Sequence, residues 1–549
     1  MTPIRATLTL ATLTATLSSF PASAQHVPDA GQILREQQQE LPQVPRTPSS
    51  IDLQQPAMPA TEPGGPQVIV RSVSIGGISV FPEPALLAVL GDVEGKPFDL
   101  AGLRGLAERI AAHYRRNGYP FTRAYLPEQA LSDGTLRIEV IEGRYGAVQA
   151  EGDEADKAQA FLEPLVAGNV IESTALERTT LILDDQPGFK TTPIIRPGKE
   201  LGTADLDVRV RRERMVSGEV GIDNQGNRYT GEYRGRLNLQ FDSPFLYGDQ
   251  IQLRSLVTDE ALWQGALNYS LPVGGSGLRG TFGYSQTSYQ LGKQFAKLLA
   301  TGKAYISTLG ASYPLLRSQK ANLTLGASFQ FKKLEDGQGA SGSQNVKSSR
   351  SLPVSAQFDI RDGFLGGGVT YGTVSWTHGR LSLDDTLLAI DSASARTEGG
   401  FNKTNLDLAR LQALPANVVA FARVSVQWAD KNLDSSEGFG LGGANGVRAY
   451  PTGESYGDEG WLTQFELRYP IGTYTPFLFH DAGHIRTNHR TWDNSMNTRS
   501  ISGSGLGVRY QTGAWLADTT VAWRGQGGRP ESDTAKRDPR LWMTLSYRF

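Results

Sequence analysis

The last nine residues, Leu541-Trp-Met-Thr-Leu-Ser-Tyr-Arg-Phe549, alternate apolar and polar side chains and stop on an aromatic. Neighbouring side chains of a strand point to opposite faces. Leu541, Met543, Leu545, Tyr547 and Phe549 therefore share one face, and Trp542, Thr544, Ser546 and Arg548 the other. A strand with one greasy and one wet face, closing the chain on an aromatic, is how a bacterial outer-membrane barrel ends. No run in the sequence approaches the roughly 20 apolar residues of a membrane helix. A closed barrel is the only other spanning form that satisfies every backbone polar group in lipid.

Past Arg214 the same alternation dominates. Tyr233, Gly235, Leu237, Leu239 and Phe241 oppose Arg234, Arg236, Asn238 and Gln240, and Val418 to Trp428 repeats the pattern. Such segments number about sixteen, an even number as bacterial barrels require. Connections after even-numbered strands, near Pro244, Pro272, Pro314, Gly366, Pro415, Pro470 and Gly513, read as short. Those after odd-numbered strands, around Lys293, Gly339, Asp391, Gly440, Asn494 and Glu531, read as mostly long. Short periplasmic turns and long outer loops produce that rhythm; a soluble sandwich or propeller has no reason to. The expected barrel is 214–549, with residues 429–458 as its longest connection.

Upstream, Arg5, the mildly apolar 6–20 and Ala22-Ser23-Ala24 read as a secretory signal over 1–24. Residues 29–40 read as a helix capped by Asp29. Its apolar face is only Ile33 and Leu34, flanked by Arg35 and Glu36, which predicts no anchorage in an apolar core. It is either solvated or held inside a polar lumen. Seven prolines make 41–66 a semi-rigid linker. Residues 67–143 then read as β-α-α-β-β, with Val68 to Ile75 as one strand and a helix N-capped by Asp99. The order recurs more faintly over 144–213. Two small α+β modules with potentially open sheet edges suggest a device for holding extended peptide.

The formal charge of −2 gives no field for nucleic acid, and the absence of cysteine removes disulfides and thiolate metal sites. His480 and His484 would share a strand face too far apart for one ion. No nucleophile, base and orienter grouping stands out, so neither enzyme activity nor a cofactor is expected.

A connection as long as 429–458 is functional or disordered. It carries Val447-Arg448-Ala449-Tyr450, and Phe479-His-Asp481-Ala-Gly483 follows two strands later. Spacing alone leaves two readings open: Arg448 pairs with an inward Asp481, or it is a solvated loop residue beside an ordinary pore-lining acid. These two stretches resemble the loop-tip motif and the strand motif of the haemolysin-activator family, the outer-membrane transporters of two-partner secretion. Gly218 to Asn224 with Tyr229 to Tyr233, Leu176 to Gly188, and Tyr313-Pro-Leu-Leu-Arg317 are similar to that family's first hairpin, second POTRA helix and a barrel turn. Ala449 departs from the usual glycine.

The resemblance implies two periplasmic POTRA domains and a barrel of about 16 strands. It also implies a loop-to-wall lock of Arg448 and Asp481 with Val447, Tyr450, Phe479 and Gly483, and a plug helix through Ile33, Leu34, Arg35 and Glu36. Its implied partners are an unfolded exoprotein, outer-membrane lipids and the barrel-assembly machinery. A barrel-assembly factor of the same superfamily and a passive porin are the alternatives.

Overall fold

The computed structural model describes residues 27–38, 43–46 and 62–549. The expected signal and most of the expected linker lie outside them.

Sixteen antiparallel strands close into a barrel, from Val216–Asp223 to Arg540–Arg548, each paired with its sequence neighbours. The last strand returns to the first over a short ladder, 219–223 against 544–548. Asn224 lengthens this seam with its side chain: its amide donates to Leu541 O (2.9 Å) and accepts from Met543 N (2.8 Å). The alternation reads out as expected. Leu541, Met543, Leu545, Tyr547 and Phe549 lie exposed on the outer face, where lipid covers them, while Trp542 and Ser546 are buried inside.

The connections 243–249, 318–320, 363–367, 415–417 and 513–514 are short, and 384–398, 430–458 and 525–539 are long. The connection near Gly339 corrects the expectation. It spans only 339–342, because the flanking strands Ala321–Gln338 and Ser343–Asp362 themselves rise far past the rim. The stretch Tyr313 to Arg317 is likewise strand rather than turn, bulged between Pro314 and Leu316.

The first N-terminal module packs α2 (Glu83–Leu90) and α3 (Leu100–Arg116) on a sheet ordered Ser72–Gly76, Thr135–Ile141, Arg123–Tyr125. The α1 helix is Ala30–Gln38. Asp99 caps α3 by accepting from Gly102 N at 2.7 Å, and Leu103, Ala107, Ile110, Ala111 and Tyr114 form its buried face. The strand expected over Val68 to Ile75 is broken at Arg71: Val68–Val70 pairs instead with Lys96–Phe98. The second module places α4 (Ala155–Leu162) and α5 (Ser173–Asp184) on the sheet Arg144–Gly152, Thr203–Arg212, Phe189–Pro197.

This second module is fastened to one end of the barrel. Arg317 forks onto Asp185 at 2.6 and 2.7 Å, Gln319 N donates to Glu177, and Tyr247 stacks on Phe189 with ring centroids 4.2 Å apart. That end carries the short turns, so it is the periplasmic one.

Candidate functional site: the infolded loop and the lumenal helix

Strand Tyr474–Arg486 turns Phe477, Phe479, Asp481, Gly483 and Ile485 inward, and Leu478 and His480 outward. The loop 430–458 folds into the lumen against this wall. A two-residue ladder, Phe439–Gly440 with Tyr456–Gly457, narrows its neck. Gly443 at φ +105° turns the tip back on itself, and Val447 N donates to Leu441 O. Val447, Ala449 and Tyr450 are fully buried with Leu441, Phe477 and Phe479. The loop therefore has an apolar core of its own.

Arg448 leaves this core and meets the wall. Its Nε and Nη2 donate to the two oxygens of Asp481 at 2.8 and 2.7 Å, its backbone N donates to Oδ2 at 3.1 Å, and Nη1 donates to Glu466 at 2.6 Å. The guanidinium lies 3.7 Å from the centroid of the Phe479 ring. A fork on a fully buried carboxylate is the geometry in which a buried ion pair holds, because both desolvated charges are satisfied. Gly483 is required by approach: a Cβ there would stand 2.7 Å from Leu441 Cδ2. Ala449 has no left-handed backbone to need glycine, and its methyl fits because residue 503 has none; a Cβ on Gly503 would sit 2.3 Å from it.

Sequence reasoning missed half of this cluster. Glu466 is shared among Arg448, Arg468 (2.7 Å) and Arg509 (3.0 Å), and Trp542 Nε1 donates to Arg448 O at 2.7 Å. The inward row Gln464, Glu466, Arg468 was available as a signal of a charged lumen wall. The outer-facing histidines are separately bonded, His480 to Ser504 and His484 to Ser500.

The loop also ties together the outer connections that flank the first and last strands. Thr452 donates to Gln225 O at 2.9 Å beyond the first strand, while the Tyr450 hydroxyl donates to Gln526 O and Gly528 O. The Glu454 carboxylate accepts from Glu531 N and Ser532 N.

Helix α1 lies in the outer half of the lumen. Asp29 caps it by accepting from Gln32 N (2.9 Å) and also takes Lys347 (2.8 Å) and Ser435 Oγ (2.6 Å). Lys347 holds Asp434 of the infolded loop as well, at 2.7 Å. Ala30 N donates to Asp336, and Arg35 to Gly438 O. Asn227 donates to both oxygens of Glu36, at 3.0 and 3.1 Å.

The expectation that α1 finds no apolar seat is wrong. Ile33 and Leu34 are fully buried in a cluster with Tyr229, Leu262, Tyr289 and Phe295, which upper strand ends and outer loops supply. Gly31 lets the helix touch Ser435 and Ser436, where a Cβ would clash. Farther along, Arg361 at the periplasmic rim donates to Pro45 O and Arg46 O.

This architecture has relatives. The family model "Haemolysin secretion/activation protein ShlB/FhaC/HecB" matches residues 202–510, and "POTRA domain, ShlB-type" matches 68–143. The heme/hemopexin transporter protein HuxB of Haemophilus influenzae is 28% identical over 458 residues, 80% of each chain. The outer membrane transporter CdiB of Escherichia coli is 24% identical, covering 92% of this chain and 91% of CdiB. The solved structure of CdiB from Escherichia coli superposes with a TM-score of 0.76 at 20% identity, covering 91% and 94% of the two chains. The chain thus belongs to the ShlB/FhaC/HecB family, and it is an outer-membrane transporter of two-partner secretion with its POTRA domains in the periplasm.

Proposed function

We propose that this transporter's cargo is a large unfolded exoprotein of the haemolysin and adhesin type, which docks on the POTRA domains and leaves through the lumen. In this reading residues 1–24 are removed on export, α1 is a plug on the linker 41–66, and two POTRA domains (67–143 and 144–213) feed the barrel 214–549. The barrel itself reaches the membrane through the barrel-assembly machinery. Arg448 and Asp481 lock the infolded loop to the wall while α1 comes and goes. Folding of the cargo outside biases its movement, so no step calls for catalysis or a cofactor.

The observation that carries the reading is how α1 is held. Side-chain bonds and a small apolar cluster keep it in the lumen, and among the described residues no backbone ladder does. An element held in that way can leave without unpairing a strand. A passive porin has no use for such an element.

The test is export of the large exoprotein encoded beside this chain, with cells and medium assayed in the presence and absence of the transporter. Appearance outside the cell only when the transporter is present supports the reading. Export indifferent to it refutes the cargo assignment.

A further inference from the structure

An extended chain arriving in the periplasm can be held by adding a strand to a sheet edge, and the two three-stranded POTRA sheets have four such edges. Three are closed.

On the outer strand of the second domain, Phe189–Pro197, the outward row is 189, 191, 193, 195 and 197. Phe189 N already donates to Gln186 O and Thr191 N to Asp184, while Pro193 and Pro197 have no N–H. On the opposite strand, Arg144–Gly152, Tyr145 exchanges bonds with Gly168 and Asn169. The Gln159 amide there takes Ala150 N and Val148 O. Gln159 sits on α4, whose Ala158, Phe161 and Leu162 are core residues, so freeing that edge means lifting a helix. In the first domain the strand Ser72–Gly76 turns only Val73 and Ile75 outward, and the Glu83 carboxylate occupies Ile75 N.

The fourth edge differs. Arg123–Tyr125 pairs with the far end of Thr135–Ile141, Arg123 against Ile141 and Tyr125 against Glu139. The next rung would set residue 127 against Arg137. Residue 127 is proline, which cannot donate, and the ladder stops. Arg137 is left with no main-chain partner on this side, and a side chain substitutes. The Gln129 amide accepts from Arg137 N at 2.8 Å and donates to Arg137 O at 2.8 Å, as the peptide group of a paired strand would. One residue row further, Thr135 N is taken by the Asp133 carboxylate. Both substitutes lie in a stretch, 126–134, with no helix or strand, and the bonds are solvent-exposed.

We infer that this rung is where the exoprotein docks: an extended segment of it displaces the Gln129 amide and pairs with Arg137, continuing the line of Arg123–Tyr125. The occupant is extended polypeptide because the group it replaces already imitates a peptide bond. This inference rests on the cargo reading above and adds the place and the residue that competes. Gln129 acts as a gatekeeper. A side chain holds the edge against unrelated chains and yields to one that offers backbone at Arg137 and Thr135 together, since paired rungs of a strand hold one another in place while each side-chain cap stands alone.

The experiment uses the full-length transporter in detergent and the N-terminal secretion domain of the exoprotein encoded beside it. The chain has no cysteine, so single cysteines report cleanly. With single cysteines placed along the exoprotein segment and copper-phenanthroline as the oxidant, Arg137→Cys is expected to form a disulfide at one position of one segment and not at that position's neighbours, and the control Thr192→Cys with none. Gln129→Ala and Gln129→Asn are each expected to tighten binding by about fivefold, the worth of roughly one net hydrogen bond. A merely structural cap predicts the opposite sign, weaker binding together with a lower melting temperature. Cross-links at Thr192→Cys, or binding unchanged or weakened in both Gln129 variants, overturn this proposal alone. Failure of the unaltered transporter to bind the domain at all overturns the cargo reading and this proposal with it.

Discussion

Replacing Arg448 by alanine removes the fork on Asp481 and one bond to Glu466, with unequal consequences. Glu466 keeps Arg468 and Arg509, so it remains paired. Asp481 is fully buried and keeps only the backbone N–H of residue 448, and only if the loop stays docked. Stripping one partner from a buried pair costs about 3–5 kcal/mol, mostly as the penalty of the charge left behind. Asp481→Asn removes that charge, so the double variant should recover about half of the loss and melt as a barrel about 2 kcal/mol less destabilised than Arg448→Ala alone, the coupling being that recovery plus the cost of Asp481→Asn by itself. The assay is the temperature at which the folded barrel loses its fast gel mobility, read for the two single variants and the double. Export measured beside it should fall further in Arg448→Ala than barrel assembly does. Additive losses with no recovery in the double variant would refute the reasoning, because the pair would then hold no shared energy.

Three further outcomes are expected. Gly503→Ala should displace the loop tip and lower barrel melting, and Ala449→Gly should restore it, since the two β-carbons would otherwise stand 2.3 Å apart; failure of the rescue counts against the close-packing account. Deleting residues 30–40 should raise resting conductance in planar bilayers, and unchanged leakage would argue against a plug. Burial pushes the Glu36 carboxyl up from its ordinary 4.5 to about 7, against the bonds from Gln32 and Asn227 and the charge of Arg234. A carboxyl with a raised value binds its proton more tightly in the docked state. Its contribution is therefore fully present below pH 4.5 and lost as pH rises through about 7, an effect of about 3 kcal/mol at most. Conductance should climb over that window and flatten in Glu36→Gln; an equal slope in both refutes the assignment.

The barrel was legible because its signal is local and repeated. The alternation that sorts Met543 outward and Trp542 inward needs no knowledge of any other strand. Asp99 as a cap was readable for the same reason. The seat of α1 was not: Ile33 and Leu34 looked like too little apolar surface, and their partners Tyr229 and Phe295 come from connections far along the chain. The Arg448 pair lay between these cases. Spacing left it open, resemblance pointed to Asp481, and neither showed Glu466 or Trp542, which only the closed curve of the wall brings to the same place. The loop expected at Gly339 failed because strand length beyond the membrane leaves no turn-residue signature.

The path of the N-terminal segment sets an order of events. Ala30 lies against Asp336 near the outer rim, and Pro45 and Arg46 lie against Arg361 at the inner one. If the helix is the proposed plug, its way out is inward, toward the rim where Pro45 and Arg46 lie. A passenger entering from the periplasm would travel the same corridor in the opposite sense, so pushing on the helix drives it outward against its tether. On the proposed reading traffic would be single-file with right of way to the resident: the helix would have to back out before the passenger's head could enter. A cargo bound nearby gains by waiting at the entrance, and time spent bound at the periplasmic face becomes as much a determinant of export as the width of the pore.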